Sequence, residues 1–221
     1  SPQHSWSFVG TNSSGATFAT ATNLASVTVN VGNACSGEYT VRDTITCGGC
    51  TTGATIICDQ KVTVSDTTNP VIGSPGASGS IACPGTPVFT PPTATDNCST
   101  PVVSVVSDVT TPSGCTGVYS RTVTWKATDG CGLTSGNVSQ TITVVDNSPP
   151  TIGSPGADDT IQCPATPVFT PPTASDTCGA ASIVEVSDIT TPGSCAGSYD
   201  RTKTWKARDC VGNESGTVSQ T

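Results

Sequence analysis

Most of the cysteines in this 221-residue chain recur at a fixed interval, and that recurrence constrains the fold more than any local motif. Cys83, Cys98 and Cys115 are each followed 80 residues later by another cysteine, namely Cys163, Cys178 and Cys195. The surrounding segments recur in the same register, including Thr-Pro-Val-Phe-Thr-Pro-Pro-Thr-Ala and Val-Ser-Gln-Thr. The chain is therefore an array of one cysteine-rich module.

The number of cysteines predicts the compartment. Modules of about 80 residues bury a small core and usually need covalent staples. The chain has 12 cysteines, an even number, and no Met, which favours an oxidising, extracellular setting at the cell surface. A reducing compartment would instead suggest metal sites, including all-cysteine zinc sites, but the only histidine is His4.

Charge and hydropathy disfavour two classes of partner. The chain has 16 acidic and 8 basic residues, a formal charge of −8, so we expect no nucleic-acid binding. No apolar run approaches the roughly 18 residues of a membrane span, so we expect no membrane insertion in this segment. The first residues lack the features of a signal peptide, and we expect a processed chain or part of a longer protein.

Proline-bearing acidic linkers at 64–70 and 144–150 predict the domain boundaries, because Pro stops the strand that precedes each linker. Residues 1–65 then form a divergent or partial module, and 66–146 form a complete repeat. Residues 147–221 form a second copy whose final strand is truncated.

The spacing of apolar residues predicts an all-β protein. No stretch has a helical period, and 17 Pro and 23 Gly interrupt segments rich in Val, Thr and Ile. Residues 119–128 alternate as a strand does, and we expect one of its faces to be buried. That face carries Tyr119, Arg121, Val123, Trp125 and Ala127.

Two positions on this face test the prediction. Lys203 replaces Val123 in the third module, so its ammonium group has to reach the rim of the core. Trp125 and Trp205 could stack on sugars, but their repeated position on the buried face favours core packing.

The segment Trp125-Lys-Ala-Thr-Asp129-Gly-Cys131-Gly, followed by Ile142-Thr-Val-Val-Asp146-Asn-Ser-Pro-Pro, resembles the hyalin-repeat (HYR) family and its relatives. The resemblance covers 66–221 well and 35–65 loosely. It implies tandem immunoglobulin-like β-sandwich modules. The Asp-x-Cys loops are similar to those of giant Bacteroidota surface adhesins of the gliding-motility type.

An immunoglobulin-like topology implies two disulfides per module, although four cysteines allow three connectivities and the sequence does not choose between them. The implied pairs are Cys83–Cys115, Cys98–Cys131, Cys163–Cys195 and Cys178–Cys210. In the first segment we expect structural disulfides in unknown order rather than a redox or metal site. Its cysteines are Cys35, Cys47, Cys50 and Cys58.

Six aspartates recur between the modules and are candidate calcium ligands, because the topology implied above places one linker Asp beside two loop Asp residues. They are Asp66, Asp96, Asp129, Asp146, Asp176 and Asp209. The alternative is that these residues cap turns. Both interpretations stay open at this point. We expect no other cofactor.

We expect no enzymatic activity, because His4 is the only histidine and only three Glu are present. Asp66-Thr67-Thr68 is similar to the O-glycosylation motif of Bacteroidota, which makes Thr67 a candidate glycosylation site.

The sequence as a whole predicts a stalk segment of a repetitive adhesin or fibre, whose neighbouring repeats are its partners and whose distal tip binds polysaccharide or other cells. The alternatives are a subunit of a filament assembled by strand donation, and an accessory module of a secreted enzyme.

Overall fold

The computed structural model of the protein describes residues 2–32, 35–47 and 54–221. Every regular element in those ranges is a β-strand, which confirms the all-β class predicted from the sequence. In the described ranges, no helix has the length and apolar character needed to cross a membrane.

The first segment forms a three-stranded sheet and a separate two-stranded one. Its strands are β1 (Pro2–Val9), β2 (Thr17–Phe18), β3 (Val29–Asn30), β4 (Ser36–Cys47) and β5 (Thr55–Ser65). β4 lies between β1 and β5, and β2 pairs with β3. Ala16, Tyr39 and Val41 form the buried core. The ring of Phe8 stacks on Phe18 at 4.3 Å and meets Tyr39 edge-on at 5.7 Å, so aromatic packing joins the two sheets.

Residues 66–146 contain the largest sheet. We call them the second repeat, counting the divergent segment 1–65 as the first and 147–221 as the third. Its strands are β6 (Val71–Ile72), β7 (Gly79–Ala82), β8 (Ala94–Thr95), β9 (Val102–Pro112), β10 (Tyr119–Thr128) and β11 (Val138–Val145). The large sheet has the order β7-β11-β10-β9, and β6 pairs with β8. β7 runs parallel to the end of β11, where Ile142 pairs with Gly79.

The third repeat, residues 147–221, is a two-layer arrangement. Its strands are β12 (Thr151–Ile152), β13 (Ala174–Ser175), β14 (Ala181–Pro192), β15 (Tyr199–Asp209) and β16 (Glu214–Gln220). The β12-β13 pair contacts the β14-β15-β16 sheet. Residues 159–162, the counterpart of β7, form no strand. The backbone N–H of Asp159 donates to the carbonyl oxygen of Thr221 at 3.2 Å.

The central strands β10 and β15 alternate as predicted. Val123, Trp125 and Ala127 of β10 are buried, as are Trp205 and Ala207 of β15. Trp205 packs edge-on against Phe169 with ring centroids 6.3 Å apart. Trp125 and Trp205 therefore both pack in the core.

Lys203 follows the expectation for a charged residue on this face. Its Nζ lies 2.9 Å from a carboxylate oxygen of Glu185 and 3.2 Å from one of Asp188. The same ammonium lies 5.7 Å from the centre of the Phe169 ring. The aliphatic stem thus covers the core while the charge reaches the surface.

The chain divides into two compact units. One comprises Ser1–Gly76, Thr90–Ser107 and Thr124–Ser139, and the other comprises Ala77–Phe89, Asp108–Val123 and Gln140–Thr221. The limits of these units differ from the repeat boundaries at 66 and 147. Those boundaries remain a prediction from the sequence. Each unit contains one place where consecutive segments of the array meet.

Candidate functional site

The three disulfides whose partners are described all join cysteines of consecutive segments. Cys35 is bonded to Cys131, Cys83 to Cys178 and Cys115 to Cys210, with Cα–Cα distances of 4.8, 5.7 and 5.6 Å. We call the meeting of 1–65 with 66–146 the first junction and that of 66–146 with 147–221 the second. The Cys35 bond lies at the first junction and the other two lie at the second. Covalent bonds therefore fasten each segment to the next.

The pairings implied by the sandwich topology are wrong. The structure forms none of Cys83–Cys115, Cys98–Cys131, Cys163–Cys195 and Cys178–Cys210. Cys83 does lie beside the turn after Cys115, since its Sγ is 3.3 Å from where a Cβ of Gly117 would stand. However, the loop of the following repeat enters the same place, and Cys178 takes the bond.

Gly117 explains how that loop comes so close. Its φ of +82° is one that L side chains rarely adopt. A Cβ at this position would also overlap the carbonyl oxygen of Cys178. From the other side, a Cβ on Gly179 would stand 3.0 Å from the carbonyl oxygen of Thr116. The two loops therefore interlock through their backbones. Gly197, the counterpart of Gly117, has a φ of +83° and open space around it.

Four cysteines of the described ranges are outside any disulfide: Cys58, Cys98, Cys163 and Cys195. The repeat register accounts for three of them. Cys98 is the counterpart of Cys178, and the partner it would need, 80 residues before Cys83, falls on Gln3. Cys163 and Cys195 are the counterparts of Cys83 and Cys115, which bond only to a following repeat. Cys47 is disulfide-bonded, and Cys50 lies outside the described residues.

At the first junction, the structure brings together the predicted triplet Asp66, Asp96 and Asp129. One carboxylate oxygen of each lies within 4.8 Å of the others. Each residue directly follows a strand, β5, β8 or β10, so strand ends place the three carboxylates. Backbone N–H groups hold one oxygen of each. Thr68 donates to Asp66 at 3.0 Å, Cys98 and Ser99 to Asp96 at 2.8 and 3.1 Å, and Cys131 and Leu133 to Asp129 at 2.8 and 2.9 Å.

The second oxygen of each carboxylate is buried and accepts no hydrogen bond from the described residues. Asp129 as a whole is only 6% exposed. The hydrogen bond from the Cys98 amide, aided by that of Ser99, lowers the pKa of Asp96. Burial raises the pKa of the Cys98 thiol, and the charges of Asp66, Asp96 and Asp129 raise it further. Negative charge therefore converges on this point.

The second junction differs from the sequence prediction. Asp146 and Asp176 do lie together, but the third member of their group is Cys178, whose sulfur is in a disulfide. Asp209 is not part of this group and accepts hydrogen bonds from Gly212 and Asn213 of its own loop. Burial opposes its ionisation, but the side-chain amide of Asn213 and the backbone amides of Gly212 and Asn213 lower its pKa overall. The predicted ligand set of Asp146, Asp176 and Asp209 is thus not assembled as a triplet.

Asn213 is the functional candidate that sequence reasoning missed. Its Nδ2 donates to Asp209 Oδ2 at 2.8 Å and reaches the carbonyl oxygens of Asp146 and Ser148 at 3.3 and 3.4 Å. Its counterpart in the second repeat is Leu133. Aligning the two loops on Asp129 and Asp209 would have shown this difference. Thr67 is exposed beside the first junction, and its glycosylation stays a prediction.

Comparisons with known proteins were made for the sequence and for the fold. No protein-family model matches the chain. The solved structures that match include Drosophila N-cadherin EC1-4, with 11% sequence identity, a TM-score of 0.26, and coverage of 99% of this chain and 66% of that chain. Among curated proteins, the chain is similar to hyalin of Strongylocentrotus purpuratus, with 35% identity over 148 residues that make up 64% of this chain and 12% of hyalin.

Proposed function

We propose that this chain is a segment of an extracellular adhesion protein that withstands tension, a stalk whose repeats are linked to one another by disulfides. The observation that carries the proposal is the direction of the bonds. Cys83 and Cys115 each bond to a cysteine 95 residues further along the chain, and Cys35 to one 96 residues further. A bond between consecutive repeats resists their separation, whereas a bond inside a repeat does not.

Other properties support a structural role rather than a catalytic one. The formal charge of −8 discourages self-association. The region of similarity to hyalin makes up only 12% of hyalin, so this chain corresponds to a small part of a protein of that size. The binding of polysaccharide or of other cells would then belong to a distal tip. In this proposal, the protein acts at the cell surface, where disulfides persist.

Overlapping bonds set the distance over which the segment can be pulled out. The shortest covalent path runs from residue 1 to Cys35, across to Cys131, back to Cys115, across to Cys210 and on to Thr221. It contains 64 of the 221 residues and 61 of the 220 peptide bonds. The remaining backbone cannot bear load until a disulfide breaks.

Single-molecule force spectroscopy of the oxidised and reduced chain tests the proposal. At 3.3–3.6 Å per residue, we expect a full extension of about 200–220 Å when oxidised and about 730–790 Å when reduced. Pairing inside the repeats would give an intermediate extension of about 510–560 Å for the oxidised chain. That value, or equal extensions in the two states, would overturn the proposal. Peptide mapping of the same oxidised sample establishes which bonds are present.

A further inference from the structure

The loop aspartates of the two junctions, Asp129 and Asp209, share one contact and differ in a second. Leu133 and Asn213 both donate their backbone N–H to the Oδ1 of the loop aspartate, at 2.9 Å to Asp129 and 2.8 Å to Asp209. Only Asn213 has a second donor, and it satisfies Asp209 Oδ2. Leu133 has none, and Asp129 Oδ2 accepts no hydrogen bond from the described part of the chain although it is buried. The same loop therefore has a satisfied carboxylate in one copy and an unsatisfied one in the other.

The unsatisfied carboxylate is one of three. Asp66 Oδ2 and Asp96 Oδ1 are likewise buried and accept no hydrogen bond from the described residues. Among those residues, no Lys, Arg or His forms an ion pair with any of the three aspartates. A buried carboxylate without a partner is costly, and three together repel one another. The arrangement therefore calls for positive charge.

The distances fit a hard divalent cation. Ca²⁺ binds oxygens at 2.3–2.6 Å, so two oxygens on one ion lie at most about 4.6–5.2 Å apart. The three carboxylates offer oxygens within 4.8 Å of one another. Backbone amides hold one oxygen of each group and fix the orientation of the carboxylate. Carbonyl oxygens and water would complete the six to eight ligands of Ca²⁺.

The second junction lacks this set. Asp146 and Asp176 are near each other, but the third atom is the disulfide sulfur of Cys178, which carries no charge. The Asn213 amide donates to Asp209 and to the linker carbonyl oxygens of Asp146 and Ser148. The Asn213 Nδ2 thus links the loop carboxylate to the linker through hydrogen bonds. A cation between the two would make the same link.

We infer that the first junction binds one Ca²⁺ through Asp66, Asp96 and Asp129, and that the Asn213 side chain replaces the ion at the second junction. The chain then binds one calcium ion rather than two. This inference does not depend on the proposed stalk function, since an extracellular module of any role could contain the site.

Isothermal titration of the oxidised full chain with Ca²⁺ tests the inference, with Mg²⁺ as the comparison ion. We expect one site in the natural sequence. Leu133→Asn should weaken binding by about tenfold or more, because the new amide competes for the Asp129 carboxylate on which affinity depends. Leu133→Met keeps the side chain apolar and should bind as the natural chain does. Asn213→Leu should add a second site by freeing the Asp209 carboxylate.

The outcomes separate clearly. A single site that is lost in Leu133→Asn and kept in Leu133→Met supports the inference. No calcium binding, two sites in the natural chain, or unchanged affinity in Leu133→Asn overturns it. Circular dichroism and disulfide mapping of each variant ensure that only folded proteins are compared. The midpoint of thermal unfolding with and without Ca²⁺ gives a second readout, which should shift in the natural chain and not in Leu133→Asn.

Discussion

Lys203 shows how one substitution between repeats changes the local chemistry without changing the strand. Its counterpart, Val123, is 5% exposed and fills the core of the second repeat. Lys203 takes the same position on β15 and carries its charge to Glu185 and Asp188. Asp188 also accepts two hydrogen bonds from Arg201, at 2.8 and 2.6 Å. A core position has thereby become the centre of an ionic network.

This network should give the third repeat an acid transition. The hydrogen bonds from Arg201, followed by that from Lys203, lower the pKa of Asp188 from 3.8 to about 2. Because the folded-state pKa is the lower one, the network stabilises the fold above pH 3.8 and its contribution is lost as the pH falls toward 2. We expect Asp188→Asn to flatten the dependence of the thermal midpoint on pH between 4 and 2.

Asp108→Asn is the matched control, measured by thermal unfolding over the same pH range. Asp108 pairs with Arg121 in the second repeat, and that hydrogen bond lowers its pKa. It has no lysine beside it, because position 123 is Val. Its replacement should alter the acid dependence less than Asp188→Asn does. An equal or larger effect would contradict the assignment.

At the scale of elements, the central strands are the parts that sequence alone predicted best. Alternation along β10 depends on side chains two residues apart, and a strand of regular pleat places them on one face whatever surrounds it. The burial of Trp125 and Ala127 followed from that local rule. The same rule places Lys206 on the opposite face from Trp205.

Trp205→Ala should destabilise the third repeat by about 3–5 kcal/mol, the usual cost of removing a buried aromatic side chain. Trp205 is 3% exposed and packs on Phe169. Lys206→Ala, on the next residue, removes a surface ion pair with Glu214 and should cost far less stability than Trp205→Ala does. Urea unfolding of both variants checks the difference. Similar midpoints for the two would show that the Trp205 face is not core.

The pairing of elements was not predictable in the same way. In a periodic sequence, Cys98 and Cys178 have the same surroundings, so nothing local says which of them meets Cys83. The choice depends on how consecutive repeats dock. The convergence of Asp66, Asp96 and Asp129 could be predicted because each residue follows a strand or linker end. The separate engagement of Asp209 involves the Asn213 side chain, which stands out only when the two loops are aligned and Leu133 is found in its place.

At the scale of the whole molecule, the junction bonds follow a rule that can be extended. Cys35–Cys131 and Cys115–Cys210 are corresponding bonds at successive junctions, since Cys115 lies 80 residues after Cys35 and Cys210 lies 79 residues after Cys131. Cys163 and Cys195 occupy the bonding positions of the third repeat and are exposed. Near them, Gly197 keeps the positive φ of Gly117 with open space around it. We expect this surface to bond to a repeat that is added after it.

A longer array tests the rule. A duplicate of residues 142–221 added after Thr221 continues the repeat in register. We expect Cys163 to bond to the duplicated Cys178, and Cys195 to the duplicated Cys210. Peptide mapping without reductant identifies the bonds. In a control with serine at both duplicated positions, Cys163 and Cys195 should remain open to alkylation. A Cys163–Cys195 bond in the longer chain would contradict the rule.

The forward direction of the bonds also places a demand on biosynthesis. Cys83 and Cys115 cannot form these bonds until cysteines 95 positions further along the chain have been synthesised. At synthesis rates of about 5–20 residues per second, that delay is about 5–19 seconds for each repeat. The native bonds of such an array therefore become possible one repeat at a time, in the order of translation.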